Sequence, residues 1–275
     1  MSFRIGFTAE LSRKNTNTTI STTLTATAAP RKSVVQVHFP ARGLTSAYYN
    51  DTFDLHKGDI VYVDGKLEGL RGRVVDVSYT FKIKLSDYKR VIGKADTDVI
   101  GKLFMAGSHF ISIDRDVIPF EKAITWFKAP NPDDEEVIFS TDDETYHLDD
   151  LKGLKIDSTT ADRGYDYYME NRVVFIEIKE GKARAIVTGT KTYEVEFDYH
   201  NREISNLVCN CYCTGVCKHE FAVLLQLRET LKVIDEEYGD EYSDDFATEY
   251  LAIISKPAFF EYVIDNKTNG SFELR

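Results

Sequence analysis

The 275-residue sequence lacks the features of a membrane-spanning or disulfide-stapled secreted protein. No apolar run approaches the roughly 18 residues needed to cross a bilayer, and the N-terminus has no basic segment leading into an apolar core and a cleavage site. Only four cysteines are present, and all lie between positions 209 and 217, too close in sequence to join distant elements. We therefore expect a cytoplasmic protein with reduced thiols and no membrane partner.

Motifs for the common catalytic sites are also missing. The sequence contains no G-x-x-x-x-G-K-[ST] loop for nucleotide phosphates, no H-E-x-x-H and no G-x-S-x-G. Adjacent acids such as Asp142 and Asp143 could ligate magnesium in a nuclease, but acidic turns are far commoner. The sequence therefore predicts that the protein is not an enzyme.

Charge is unevenly distributed along the chain. The formal net charge of −11 argues against a nucleic-acid binder that is held by bulk electrostatics alone. Acidic residues concentrate in 133–144 and 235–249, whereas basic residues outnumber acidic ones between Arg31 and Lys94. The hydrophobic content of 43% is sufficient for real cores, and the length allows one large domain or two to three small ones.

Patterning predicts an α+β protein that begins with short strands. Residues 1–32 are rich in Thr and Ser, which is typical of a flexible arm or of edge strands. Short strands at the spacing that follows predict a small β-barrel, loosely similar to SH3-like or OB-like barrels. Alternation over Phe81–Tyr88 predicts a further strand, and Pro119–Trp126 a short helix. The predicted barrel strands are Val34–Phe39, Tyr48–Tyr49, Asp59–Val63 and Gly72–Val77.

The second half predicts an antiparallel meander that leads into the cysteines and a helix. Three alternating segments with tight turns between them form the meander, and apolar residues at helical spacing predict a helix over Glu220–Leu231. The meander segments are Val173–Ile178, Ala183–Val187 and Tyr193–Tyr199.

The strongest chemical signal is the pattern C-x-C-x-C-x-x-x-C-x-H from Cys209 to His219. Thiolate and imidazole are the donors that hold a tetrahedral zinc ion, and buried structural cysteines do not usually cluster in this way. The pattern therefore predicts a metal site with zinc as the cofactor. Inert or redox-active thiols are the alternative interpretation.

The ending Cys217-Lys218-His219, followed by an apolar helix, resembles the SWIM zinc finger, whose pattern is C-x-C, a variable spacer and C-x-H. Segments around Asn171–Val173 and Tyr193–Val195 resemble the strands before the cysteines in bacterial members, so the resemblance covers about residues 165–231. It implies a closed, structural Zn²⁺ site with the ligands Cys209, Cys211, Cys217 and His219. Cys211 and Cys213 also read C-x-C, so Cys213 stays an alternative ligand, although its short spacer would strain a tetrahedral site.

These predictions divide the chain into five parts. They are an arm at 1–32, a barrel-containing N-terminal domain at 33–128, an acidic linker at 129–160, a SWIM-type zinc module at 161–232 and an acidic helical tail at 233–275.

The resemblance implies that the zinc module binds DNA or protein, because SWIM fingers occur in helicase-like ATPases, transposases and recombination accessory proteins. Tyr193, Phe197, Tyr199 and Tyr212 could stack on bases, although the first two share a strand face that is typical of a core. We expect a non-catalytic DNA-binding or DNA-metabolism accessory protein; the alternative is an adaptor for a helicase or recombination protein without DNA contact. Six basic residues are the candidate nucleic-acid contacts: Lys182, Arg184, Lys191, Arg202, Lys218 and Arg228.

Overall fold

The computed structural model describes residues 3–6, 30–107, 109–113, 117–130, 144–242, 250–265 and 270–274. Within these ranges the chain forms strands and helices in the mixture that the α+β prediction requires. Most of the predicted arm, residues 7–29, and much of the acidic linker, residues 131–143, lie outside them. The strands are β1 (Phe3–Gly6), β2 (Ser33–Phe39), β3 (Leu44–Asn50), β4 (Ile60–Val63), β5 (Gly72–Ser78), β6 (Val91–Lys94), β7 (Ile100–Ala106), β8 (Phe110–Ile113), β9 (Tyr146–His147), β10 (Val173–Lys179), β11 (Lys182–Thr188), β12 (Thr192–His200), β13 (Glu203–Cys209), β14 (Tyr250–Ser255) and β15 (Ser271–Leu274). The helices are α1 (Phe120–Phe127), α2 (Ser158–Met169), α3 (Lys218–Tyr242) and α4 (Lys256–Phe259), the last continued by a π-helical turn at Phe260–Ile264.

The smaller sheet contains β2 to β6 in the order β3-β2-β5-β4-β6, with antiparallel pairing throughout. Its strands confirm the four predicted N-terminal strands to within a few residues. The two end strands approach each other, because Tyr49 of β3 bridges to Arg90 and its amide donates to the Lys89 carbonyl at 2.9 Å. Val35, Val37 and Val61 are among the side chains that fill the interior.

The larger sheet has the order β1-β15-β7-β8-β14-β10-β11-β12-β13-β9. The predicted meander is confirmed as β10, β11 and β12, and β13 extends it to Cys209. One face packs against α3 through residues such as Val223 and Leu227. The other face packs against α1, α4 and the π-helical turn, with Trp126 and Phe259 fully buried.

The larger sheet does not follow the predicted division of the chain. β7 and β8, which lie in the segment assigned to the N-terminal domain at 33–128, pair with β15 and β14. Those partners fall within residues 233–275, which were predicted as a helical tail and instead contribute two strands after α3 ends at Tyr242. The apolar run of β14 is buried along its whole length, so sheet pairing rather than the acidic composition around it determines its structure.

The predicted strand at Phe81–Tyr88 is wrong. This segment lies in the loop between β5 and β6 and contains only a short 3₁₀ turn at Leu85–Asp87. Its alternation does not mark a buried face, since Phe81 and Leu85 are both exposed. None of the described helices is both long enough and apolar enough to cross a membrane.

Candidate metal centre

Three thiols and one imidazole lie close together between the end of β13 and the start of α3. The sulfur atoms of Cys209, Cys211 and Cys217 and a ring nitrogen of His219 all lie within 4.8 Å of one another. The His219 Nδ1 atom is 3.6 Å from Cys209 Sγ and 3.7 Å from Cys217 Sγ. A tetrahedral zinc ion with Zn–S near 2.3 Å and Zn–N near 2.0–2.1 Å separates its donors by about 3.5–3.8 Å, so the two separations from His219 match such an ion and the cluster is compatible with a metal site.

Strand pairing fixes the first two ligands. Cys209 is the last residue of β13 and lies opposite Val195 of β12. The ladder continues one residue further, because Asn210 donates its amide to the Glu194 carbonyl at 3.1 Å and accepts from the Glu194 amide at 3.0 Å through its side chain. The C-x-C turn is therefore held by backbone geometry before any ion binds. Gly215 then adopts a left-handed φ of 78°, which helps the chain return towards Cys217.

Cys217 is both a candidate ligand and the cap of helix α3. The Glu220 amide donates to Cys217 Sγ at 3.4 Å, and the Glu220 carboxylate accepts from the Cys217 amide at 2.6 Å. These reciprocal bonds have the geometry of a capping box, with sulfur in the place of the usual hydroxyl. The amide and the positive end of the helix dipole favour negative charge on this sulfur, but a hydrogen bond to Cys209, burial and the charge of the Glu220 carboxylate outweigh them and raise the pKa of Cys217.

His219 lies in an aromatic enclosure that fixes its ring. Tyr193 stacks on it at a centroid distance of 3.8 Å, and Tyr167 meets it edge-on at 5.3 Å. The ring is 2% exposed, and burial, aided by the charge of Lys218, lowers its pKa to about 4. The imidazole is therefore neutral at physiological pH, with Nδ1 among the thiols and Nε2 buried with no hydrogen-bond partner among the residues that the structure describes.

Helix α2 supports the site through residues that were not predicted from the sequence. A Cβ atom on Gly164 would lie 2.8 Å from a ring carbon of Phe221 and 3.0 Å from the Lys218 carbonyl, so only glycine allows α2 to approach the first turn of α3 this closely. Tyr167, one helical turn later, reaches His219, and Lys218 Nζ lies 4.5 Å from the centre of the Tyr167 ring. The signal for this contact in the sequence is that Gly164 and Tyr167, three positions apart, lie on the same face of a helix.

The alternative ligand does not join the cluster. Cys213 is exposed and lies outside the group formed by the other three cysteines and His219. Its neighbour Tyr212 is fully exposed, so the loop between the second and third ligands presents its side chains to solvent. Of the other aromatic candidates, Phe197 is buried in the core and Tyr199 packs against it.

The structure does not gather the six basic candidates into one surface. Lys182 begins β11 and Lys191 lies in the turn after that strand ends at Thr188, so the length of the strand, about 20 Å, separates them. Three of the six have carboxylate partners: Lys182 with Asp198 at 2.6 Å, Arg184 with Glu121 at 3.7 Å, and Arg202 with Asp149 and Asp235 at 2.9 Å each. Lys218 lies over the Tyr167 ring, Arg228 is half-buried on α3 and Lys191 is exposed.

The affinity for zinc should rise steeply with pH. Burial raises the pKa of the Cys211 thiol to about 12, and a hydrogen bond to Cys209 together with burial raises the pKa of Cys217, so both are protonated in the metal-free fold at pH 7. Zinc binds thiolates and must displace these two protons, whereas His219 has none to release above pH 5. We expect the apparent affinity to increase at least about 100-fold per pH unit between pH 6 and 8.

Competition with a chelator of known affinity measures this dependence, and calorimetry in buffers of different ionisation enthalpy counts the protons. Release of fewer than two protons per zinc, or an affinity that does not change with pH, would contradict the prediction.

Comparison of the chain with protein-family models, with curated proteins and with solved structures finds no match in any of the three.

Proposed function

We propose that the protein is a non-catalytic zinc-binding accessory factor of DNA metabolism, built around a SWIM-type finger. The observation that carries this proposal is the cluster of three thiols and one imidazole within 4.8 Å. Four protein donors complete a tetrahedral zinc shell and leave no position for water or substrate, so the ion organises the fold and does not act as a Lewis acid.

The proposed zinc joins elements that are far apart in their backbone hydrogen bonding but packed against each other in one core. It connects the end of the β12–β13 hairpin to the first turn of α3 and fixes the exposed loop between Cys211 and Cys217. Binding energy of this kind is folding energy, since a preformed site rarely exists in an unfolded chain. Such a site therefore holds an exposed surface in a fixed conformation.

DNA is the first candidate partner, because of the resemblance to SWIM fingers and because the basic segment 31–94 departs from the acidic character of the whole chain. Binding through phosphates should weaken by about 20-fold between 50 and 200 mM salt if three phosphates of a single strand are contacted. Anisotropy titrations of the zinc-loaded full chain with labelled single-stranded and duplex oligonucleotides test this. Absence of binding to either at 50 mM salt would contradict a DNA-binding role.

A protein-interaction adaptor is the second candidate, and two observations favour it. Lys182, Arg184 and Arg202 are already paired with carboxylates, which reduces the positive charge that the zinc module offers to DNA. Tyr212 is fully exposed on the loop between ligands, and exposed aromatic side chains on rigid loops are frequent anchors in protein interfaces. The same titration separates the candidates, since an adaptor without DNA contact binds no oligonucleotide at low salt.

A further inference from the structure

The loop between β5 and β6, residues 79–90, is an exposed surface that no part of the zinc centre uses. Nearly all of its residues are exposed, including the large side chains of Tyr79, Phe81 and Leu85 at 37%, 36% and 47%. It packs along the edge of the smaller sheet, where Phe81 meets the ring of Tyr49 edge-on at a centroid distance of 6.2 Å. Exposed aromatic side chains held in place by a neighbouring ring form a surface suited to contact with a partner.

Positive charge surrounds these aromatic side chains. The guanidinium of Arg31 lies 4.4 Å from the centre of the Tyr79 ring, and that of Arg90 lies 5.5 Å from the centre of the Tyr49 ring. Lys82 and Lys84 follow Phe81 along the loop, and both are exposed. We refer to this group as the aromatic-basic patch: Arg31, Tyr79, Phe81, Lys82, Lys84 and Arg90.

The charges of the patch are less neutralised than those of the zinc module. Arg90 pairs with Asp51 at 3.2 Å, but in the part of the chain that the structure describes no carboxylate lies within 4 Å of Arg31, Lys82 or Lys84. The contrast extends over the segment, since residues 31–94 hold twelve basic and seven acidic residues, a net charge of +5 in a chain of −11. The patch therefore offers unpaired cations to an anionic partner.

We propose that the aromatic-basic patch on the β5–β6 loop binds single-stranded nucleic acid, with Tyr79 and Phe81 stacking on bases and Arg31, Lys82 and Lys84 contacting phosphates. This proposal rests on the proposed function and identifies the form of nucleic acid and the surface that binds it. Cations that track a backbone beside aromatic rings that accept base faces are the recurrent means of binding single strands.

Single strands fit this patch better than a duplex does. Bases in a duplex are stacked on each other and offer no free face to Tyr79 or Phe81, so only the cations would contribute. An acidic peptide would neutralise the lysine charges but would offer no base to stack on the aromatic rings. The aromatic side chains are therefore the feature that distinguishes the three classes of partner.

The test is an anisotropy titration of the zinc-loaded full chain with fluorescein-labelled 20-nucleotide oligothymidylate. A 20-base-pair duplex and a 20-residue polyglutamate peptide serve as comparisons. Tyr79→Ala and Phe81→Ala should each weaken binding to the single strand about 5- to 150-fold, because that is the effect of removing one stacking side chain. Phe81→Trp should retain binding. The double variant Lys82→Gln with Lys84→Gln should reduce the salt slope by about 1.4, which corresponds to two lost phosphate contacts.

The matched control is the double variant Lys152→Gln with Lys179→Gln, which removes the same charge at two exposed positions outside the patch and outside the candidate nucleic-acid contacts, and should leave affinity for the single strand within about twofold. Zinc content and thermal unfolding should be unchanged in all variants, because the altered side chains are exposed.

Three results would overturn the proposal in distinguishable ways. If Tyr79→Ala and Phe81→Ala bind like the wild type while the double variant Lys182→Gln with Lys191→Gln, in the zinc module, loses binding, the site is wrong and the proposed DNA-binding function stands. If no oligonucleotide binds at 50 mM salt, both fail. If the duplex or polyglutamate binds as tightly as the single strand, charge alone accounts for binding and the single-strand assignment is wrong.

Discussion

Replacing Cys217 by serine should abolish zinc binding and melt the region around the start of α3. Cys217 is 1% exposed, and its sulfur lies 3.7 Å from His219 Nδ1, so no water can replace the lost ligand without rearrangement. Serine is one of the best helix-capping residues and keeps the reciprocal bonds with Glu220, so the loss can be assigned to the metal and not to the cap. Structural zinc contributes about 10–16 kcal/mol in isolated zinc-finger peptides, and losing one of four ligands should remove much of that.

The matched control is Cys213→Ser, which removes a cysteine from the same loop at an exposed position outside the cluster. We expect one zinc per chain in the wild type and in this control, and none in Cys217→Ser. Metal analysis measures the zinc content, and circular dichroism measures the thermal unfolding transition. Cys217→Ser should lose the part of the transition that chelation removes from the wild type. A Cys217→Ser protein with one bound zinc, or a Cys213→Ser protein with none, would contradict the four-ligand assignment.

The four residues that cluster at this site could be predicted from sequence because they are local. Cys209 to His219 span eleven residues, and the chemistry of thiol and imidazole is specific enough to indicate a metal without tertiary information. The spacing of Gly164 and Tyr167 places both on one face of a helix, but what that face contacts could not be predicted, since the two residues lie about fifty residues earlier and reach the first turn of α3 only through the packing of two helices. Which C-x-C pair joins the cluster also depended on the fold, because the register of β12 and β13 places Cys209 at the end of a strand.

The same distinction applies to the larger sheet. The meander of β10 to β12 was predictable, since each strand pairs with its neighbour through a tight turn. The pairing of β8 with β14 joins Ile111 to Ile254 across more than 140 residues, and no local pattern encodes such a contact. At Phe81–Tyr88 the alternation predicted a strand that does not form, because the apolar side chains at strand spacing lie on the surface and not in a core.

Trp126 joins the two sheets, and its replacement by alanine should be the most destabilising of the single changes away from the metal. It is the only tryptophan in the chain and is fully buried. Its ring stacks on Tyr262 at a centroid distance of 5.1 Å, and its Nε1–H donates to the Asp96 carbonyl at 2.7 Å. Its own carbonyl accepts from the guanidinium of Arg71, the residue before β5 of the smaller sheet, at 3.3 Å. The residue therefore contacts the segment that follows β6, the start of β5 and the π-helical turn together.

Trp126→Ala should lower the free energy of unfolding by about 3–5 kcal/mol, because it leaves a cavity at this junction and an unpaired Asp96 carbonyl. Trp126→Phe is the matched control: it keeps a ring against Tyr262 but removes the donor, so we expect a smaller loss of about 1–3 kcal/mol. Urea unfolding followed by circular dichroism measures both, and zinc content should remain one per chain, since the metal ligands lie in a different core cluster. If the free energy of unfolding of Trp126→Ala lies within 1 kcal/mol of that of the wild type, the two sheets unfold independently of this contact. Loss of zinc in that variant would show instead that the metal centre depends on the junction, because the two clusters share the central strands β10 and β11.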